Sequence, residues 1–267
     1  MNFSIELNDS DFTYFRNLVY DICGICISAD KKEMLKCRIN KRLKDLNLES
    51  YKEYKNYIKN NSEEITNFIN AVSTNKTDFF REKNHFDFLS EHIKKNINKM
   101  KDLYIWSAAC STGEEPYSIA MTLNEELYDN PNVNSLILAT DIDTNVLAKA
   151  YKGSYKHDQI QGIPRHLLLK YFEKSGDSYN IKKNLREVLR FKHLNLIEPF
   201  PFNKKFDFIF CRNVMIYFDS KTQQELVNKF YNMIKPGGYL FIGHSESLTR
   251  LNIKFKYIKP AVYQKAE

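Results

Sequence analysis

The run Trp106-Ser107-Ala108-Ala109-Cys110-Ser111-Thr112-Gly113-Glu114-Glu115-Pro116 strings small residues together, then sets two acids before a proline suited to a helix start. Small side chains let a ligand approach the backbone closely. The run holds a single glycine, so it is neither a dinucleotide fingerprint nor a Gly-Lys-Ser/Thr phosphate loop, and its acids would repel a phosphate. A second run, Ala139-Thr140-Asp141-Ile142-Asp143, ends an apolar stretch in a carboxylate. At such a point a carboxylate accepts hydrogen bonds from ribose hydroxyls, although a lone Asp after a strand is more often a helix cap than a cofactor ligand. Together the two runs imply an adenosine-containing ligand without phosphates, a description that S-adenosylmethionine meets.

These residues need a scaffold that brings strand ends together. Short apolar runs at Leu103-Ser107, Ser135-Thr140, Val188-Leu194, Phe206-Cys211 and Tyr239-Gly243 alternate with helical patterns near Pro116-Leu127, Thr144-Ala150, Pro164-Phe172 and Lys221-Ile234. Strands alternating with helices predict an α/β fold with a mostly parallel, doubly wound sheet covered on both faces, whose ligands sit beyond the carboxyl ends of the strands. Residues 73–267 are assigned to this domain. Residues 1–72 show apolar positions three and four apart, as in Phe12, Phe15, Val19 and Ile22, and predict a small all-helical domain with Asp9 and Ser62 as N-caps. The segment 71–101 is expected to be helical from about His85 to Met100. Within the α/β part, Ser175-Gly176-Asp177-Ser178 interrupts residues 171–190 and predicts a small β-hairpin-like insertion.

Composition narrows the classes. With 43% apolar residues the chain can bury a sizeable core, and 40 Lys+Arg against 33 Asp+Glu is a modest excess for 267 residues. Five cysteines with no repeated spacing fit a reduced compartment, and a cytoplasmic location is expected. Cys23 and Cys26 form a C-x-x-C, but no second cysteine pair or histidine lies nearby, so no metal is expected. Neither a signal peptide nor a run of 18 apolar residues is found, so membrane insertion is not expected.

Five segments, Asn75-Lys76-Thr77-Asp78-Phe79-Phe80-Arg81-Glu82, the Trp106 to Ser118 run, Ala139 to Asp143, Cys211-Arg212-Asn213-Val214-Met215-Ile216-Tyr217-Phe218 and Gly243-His244-Ser245-Glu246-Ser247, carry a resemblance. In order and spacing they resemble the CheR-type chemotaxis receptor methyltransferases over nearly the whole chain. The resemblance implies a Rossmann-like class I methyltransferase domain that uses S-adenosylmethionine, releases S-adenosylhomocysteine and esterifies receptor glutamates. It implies that Asn75, Thr77 and Arg81 lie over the cofactor, that Glu115 and Asp141 bind its amino and ribose groups, that Asn195 and Leu196 flank the adenine, and that Asn213 and Val214 border the methyl-donor end. Read without it, Asn75 and Thr77 are helix caps near Asp78 and Asn195 is a turn residue.

Methyl transfer from a sulfonium to a carboxylate needs positioning in a dry site rather than a strong base or a metal. Arg81 is expected to hold the substrate carboxylate and Tyr217 to orient it or the donor. His244 is not needed as a base, since a glutamate has no proton to lose at neutral pH. Arg38, Lys41 and Arg42 form a basic face opposite Leu35, Ile39 and Leu43, suited to the acidic, helical cytoplasmic domain of a receptor; nucleic acid is not the expected partner, and a monomer is expected. In some members of that family an inserted β-subdomain binds a receptor's C-terminal peptide by strand addition, from which the short loop at Ser175 to Ser178 departs. A related methyltransferase acting on another protein, a catalytically silent receptor adaptor and a nicotinamide oxidoreductase are the alternatives; NAD(H) binding separates the last.

Overall fold

The protein was analysed as a computed structural model that describes residues 5–266. Four helices come first: α1 (Asp9–Cys23), α2 (Lys32–Leu46), α3 (Tyr51–Asn60) and α4 (Ser62–Val72). Their apolar stripes meet in one core around Phe15, Leu35, Tyr54 and Phe68. The side chain of Asn8, whose backbone is extended, accepts from Asp11 N–H and caps α1, so Asp9 is already inside the helix. Ser62 likewise begins α4 rather than capping it, and no side chain caps that helix. Gly24 closes α1 with φ of +72°, and a Cβ there would lie 2.8 Å from Ile197, so the helical layer approaches the next one at backbone distance.

The rest of the chain runs α5 (Asn84–Asn96), β1 (Asp102–Ala108), α6 (Glu114–Glu126), β2 (Asn134–Asp141), α7 (Thr144–Lys152), β3 (Ser154–Lys156), α8 (Arg165–Tyr171), β4 (Phe172–Ser175), β5 (Ser178–Ile181), α9 (Lys183–Arg186), β6 (Leu189–His193), β7 (Phe206–Phe210), α10 (Ser220–Met233), β8 (Ile234–Phe241), β9 (Lys256–Lys259) and β10 (Val262–Gln264). Seven strands form one sheet in the order β6-β2-β1-β7-β8-β10-β9. The first five are parallel, and β10 and β9 run antiparallel at one end. The central strand β1 is buried on both faces after its first residue, as a covered parallel strand must be, and separate apolar clusters fill the two sides of the sheet. Chain order reverses between β1 and β7, so a crevice opens there at the carboxyl ends.

The insertion is larger than a hairpin. β4 and β5 do form one, but β3 adds to β5 to make a three-stranded antiparallel sheet. Tyr155 of β3 donates its hydroxyl to Thr112 O at 2.8 Å and thereby braces the loop after β1.

Candidate active site

The loops leaving β1, β2, β6 and β7 and the connection from α4 to α5 line a cleft of about 1040 Å³, its open mouth included. Asn75, Thr77, Arg81, Glu115, Asp141, Asn195, Leu196, Asn213, Val214 and Tyr217 all line it. Residues 79 and 80 form a turn rather than a helix, so Asn75 and Thr77 cap nothing there. Asn75 instead donates to Asp143 Oδ2 at 2.7 Å, and its carbonyl accepts from Ser111 Oγ at 3.2 Å, which fastens this connection over the strand ends. Asn195 is both turn residue and wall: it accepts from Ile197 N–H at 3.3 Å and donates to Ile22 O at 2.7 Å across the two layers.

Backbone strain gathers here. Phe80, Glu82, Ala109, Ser111 and Asn213 all have φ between +50° and +73° without being glycine, at the cost of unfavourable sterics that the surrounding bonds must offset. The main-chain N–H groups of Ala109 and Cys110 both donate to Thr140 O at 2.8 Å. Ser111 N–H donates to Asp141 Oδ2 at 2.8 Å and Asp143 N–H to Asp141 Oδ1 at 3.0 Å, leaving further lone pairs of Asp141 for a ligand. Burial pushes the Asp141 carboxyl up to about 6, against the pull of those two N–H groups.

A chain of charges runs from the wall of the cleft into the protein. Arg212, which the sequence reading passed over, is buried and bonds Glu115 Oε2 at 3.0 Å and Glu82 Oε2 at 3.0 Å, with a further bond to Arg81 O. Ser107 Oγ donates to the other Glu115 oxygen at 2.7 Å. Burial raises the Glu115 carboxyl although Arg212 opposes it. For Glu82 burial also pushes upward, but Arg212 and the His244 N–H outweigh it, and the carboxyl ends below its usual range. Glu82, His85 and His244 approach one another, yet both Glu82 oxygens are already taken by Arg212, by Asn213 Nδ2 and by His244 N–H. Because Glu82 pairs with Arg212, Arg81 is left with a bond to Lys76 O at 3.1 Å and no ion pair among the described residues. Its side chain and that of Tyr217 both line the cleft.

The basic face of α2 divides. Arg42 is held by Glu64 through two bonds of 2.9 and 2.6 Å, and Arg38 donates to Val72 O and to Thr74 Oγ1. Lys41 is exposed. Arg38 thus supports the start of the connection that forms the cleft's lid side.

Residues 75–263 match the family model "CheR methyltransferase, SAM binding domain", and residues 10–73 match "CheR methyltransferase, all-alpha domain". The chain belongs to the CheR methyltransferase family. A chemotaxis protein methyltransferase of Borreliella burgdorferi is 42% identical over 99% of this chain and 97% of its own length. One of Escherichia coli is 39% identical over 97% and 92%, and a chemotaxis protein methyltransferase 2 of Pseudomonas aeruginosa is 36% identical over 96% and 93%. As a member of this family the protein is an S-adenosylmethionine-dependent methyltransferase.

The donor set of the cleft fits that cofactor. Two buried carboxylates, Glu115 and Asp141, offer acceptors for an ammonium and for hydroxyls, while Leu196, Val214 and Ala109 give apolar wall for a ring and a thioether. Glu82, Arg212 and Asp143 complete the arrangement from behind. The motif runs quoted above contain all three, but no periodicity marks a buried arginine between two acids.

Proposed function

We propose that this enzyme transfers the S-adenosylmethionine methyl group to glutamate side chains of a chemotaxis receptor's cytoplasmic helical domain, forming methyl esters, and that it works as a cytoplasmic monomer. The observation that carries the reading is the Arg81 cation, without an ion pair among the described residues, in a cleft that also holds the carboxylates of Glu115 and Asp141. A cation placed there selects a carboxylate as the group to be methylated, by a charge-assisted hydrogen bond. The chemotaxis names of the relatives support the same substrate.

In this reading Asp141 accepts from the ribose hydroxyls, Glu115 from the ammonium, Asn195 and Leu196 flank the adenine, and Asn213 and Val214 border the donor end. Asn75 and Thr77 cover the cofactor. Bound there, the cofactor supplies a methyl carbon made electrophilic by a positive sulfur. Arg81 orients the incoming carboxylate, Tyr217 fixes its approach, and the surrounding apolar wall keeps water out. Charge is neutralised as the ester forms, so exclusion of water favours the step. No proton has to move, which is why the neutral His85, held down to about 3 by burial and by Arg212, takes no part. Residues 1–72 serve receptor docking through Lys41 and Arg38 on α2, with Arg42 acting through the packing of that helix.

Radiolabelled methyl transfer to receptor cytoplasmic fragments tests this. Wild type should give a label released as methanol by mild base, and Arg81→Ala should cut kcat/KM by roughly 100-fold, as loss of an alignment contact does. A base-stable label, or none, overturns the assignment to glutamate.

A further inference from the structure

Glu246 follows β8 and lies in a loop outside the cofactor cleft. Its Oε2 accepts from the backbone N–H of Asn213 at 2.9 Å and from Gly243 N–H, and its Oε1 accepts from Ile216 N–H at 3.2 Å. Among the described residues it makes no ion pair, so its charge is met by main-chain donors. Those donors belong to two loops, one after β7 and one after β8, which touch closely: a Cβ on Gly243 would lie 2.3 Å from Asn213 Nδ2 and 2.9 Å from Asn213 N. Asn213 itself has φ of +58°, a conformation that needs outside support. Three residues beyond Val214, Tyr217 closes a short turn by donating its N–H to Val214 O at 3.1 Å.

We infer that Glu246 is a positioning residue for methyl transfer: by gathering the N–H groups of Asn213 and Ile216 it holds the loop that presents Asn213, Val214 and Tyr217 to the cleft. A carboxylate suits the task because it only accepts, and its two oxygens can serve three converging donors. Glu82 grips the Asn213 side chain while Glu246 grips the Asn213 backbone, so one strained residue is fixed from two directions. The inference rests on the role proposed above for Tyr217.

Glu246→Gln keeps the size of the side chain but turns an NH₂ group toward a backbone N–H. We expect kcat on a receptor fragment to fall about tenfold or more, since small misalignments have large kinetic effects. S-adenosylhomocysteine affinity should fall less than kcat does, because Asp141 and Glu115 lie on other loops. On a Tyr217→Phe background the same substitution should lower kcat by less than about threefold, as coupled residues behave. Amide exchange at Asn213 and Ile216 in the folded Gln variant should quicken about tenfold or more, a readout that needs no substrate. Unchanged kcat with unchanged exchange overturns the inference, as does a full loss of kcat on the Tyr217→Phe background. An inactive wild type counts against the receptor-glutamate reading instead, and exchange then decides the role of Glu246.

Discussion

Two buried guanidinium–carboxylate clusters, built from the same groups, behave differently because of what they face. In the helical layer buried Glu64 receives two bonds from half-buried Arg42 and one from the Tyr54 hydroxyl at 2.7 Å, and it packs beside the apolar core of the four helices rather than a cleft. At the strand ends Arg212 joins Glu82 to Glu115, but Glu115 also borders an open cleft. One cluster is closed upon itself; the other keeps acceptor capacity in reserve. Burial of a charge pair is thus no sign of function until the space beside it is known.

The comparison can be broken at either cluster. The largest effect is expected at the closed one. Arg42→Met leaves Glu64 without its main partner and should cost about 3 kcal/mol of stability, the low end for a broken buried pair because the Arg42 head keeps some solvent contact. Chemical denaturation should show this, and adding Glu64→Leu should recover much of it, with S-adenosylhomocysteine affinity of the folded protein unchanged throughout. If affinity drops in step with stability, the two clusters are not separable.

In the cleft that the open cluster borders, the pattern reverses. Asp141→Ala removes the acceptors proposed for two ribose hydroxyls, and calorimetry on the folded variant should show cofactor affinity falling by about 2–3 kcal/mol, roughly 30- to 150-fold. Full-strength binding in the variant would remove Asp141 from the site.

The smallest expected effect sharpens the contrast through pH. A raised carboxyl pKa means that the ionised, hydroxyl-accepting form of Asp141 is lost as pH falls through about 6, so cofactor affinity should drop roughly tenfold by pH 5, about 1.4 kcal/mol. Asp141→Asn should flatten that limb. Persistence of the limb in the Asn variant would assign it to Glu115, also raised by burial.

Alternating apolar runs made the parallel sheet legible, because covered strands such as β1 must be apolar almost throughout. The helical layer was legible for a similar reason, through its stripes of three- and four-residue spacing. Three strands escaped: Ser154–Lys156, too short to show a period, and Lys256–Lys259 and Val262–Gln264, which sit at an antiparallel end where polar residues are tolerated. The end caps differed by one residue because Asn and Ser adjoin acids that suit either role. In the cleft, strand-end loops pointed to Glu115 and Asp141, Asn75, Thr77, Arg81, Asn213, Val214 and Tyr217 came with the motif runs, and Asn195 and Leu196 only with the resemblance those runs carry. Arg212 and Glu246 stayed hidden, since both act through groups distant in sequence: Glu82 and Glu115 for the one, Asn213 for the other. Arg42 and Arg38 looked like free surface cations, but long side chains on a helix face readily reach partners on a neighbouring helix, as Arg42 reaches Glu64.

The central strand also sets an order of assembly. Ile105 of β1 pairs on one side with Ile137 of β2 and on the other with Phe208 of β7, a much later part of the chain. During synthesis the wall bearing Asp141 can therefore form well before the ribosome releases the residues around Asn213 and Tyr217. A half-made chain would hold Asp141 without the wall that carries Asn213 and Tyr217. A ligand that prefers the finished cleft stabilises only the finished fold, so its contribution comes after the late strands have paired with β1.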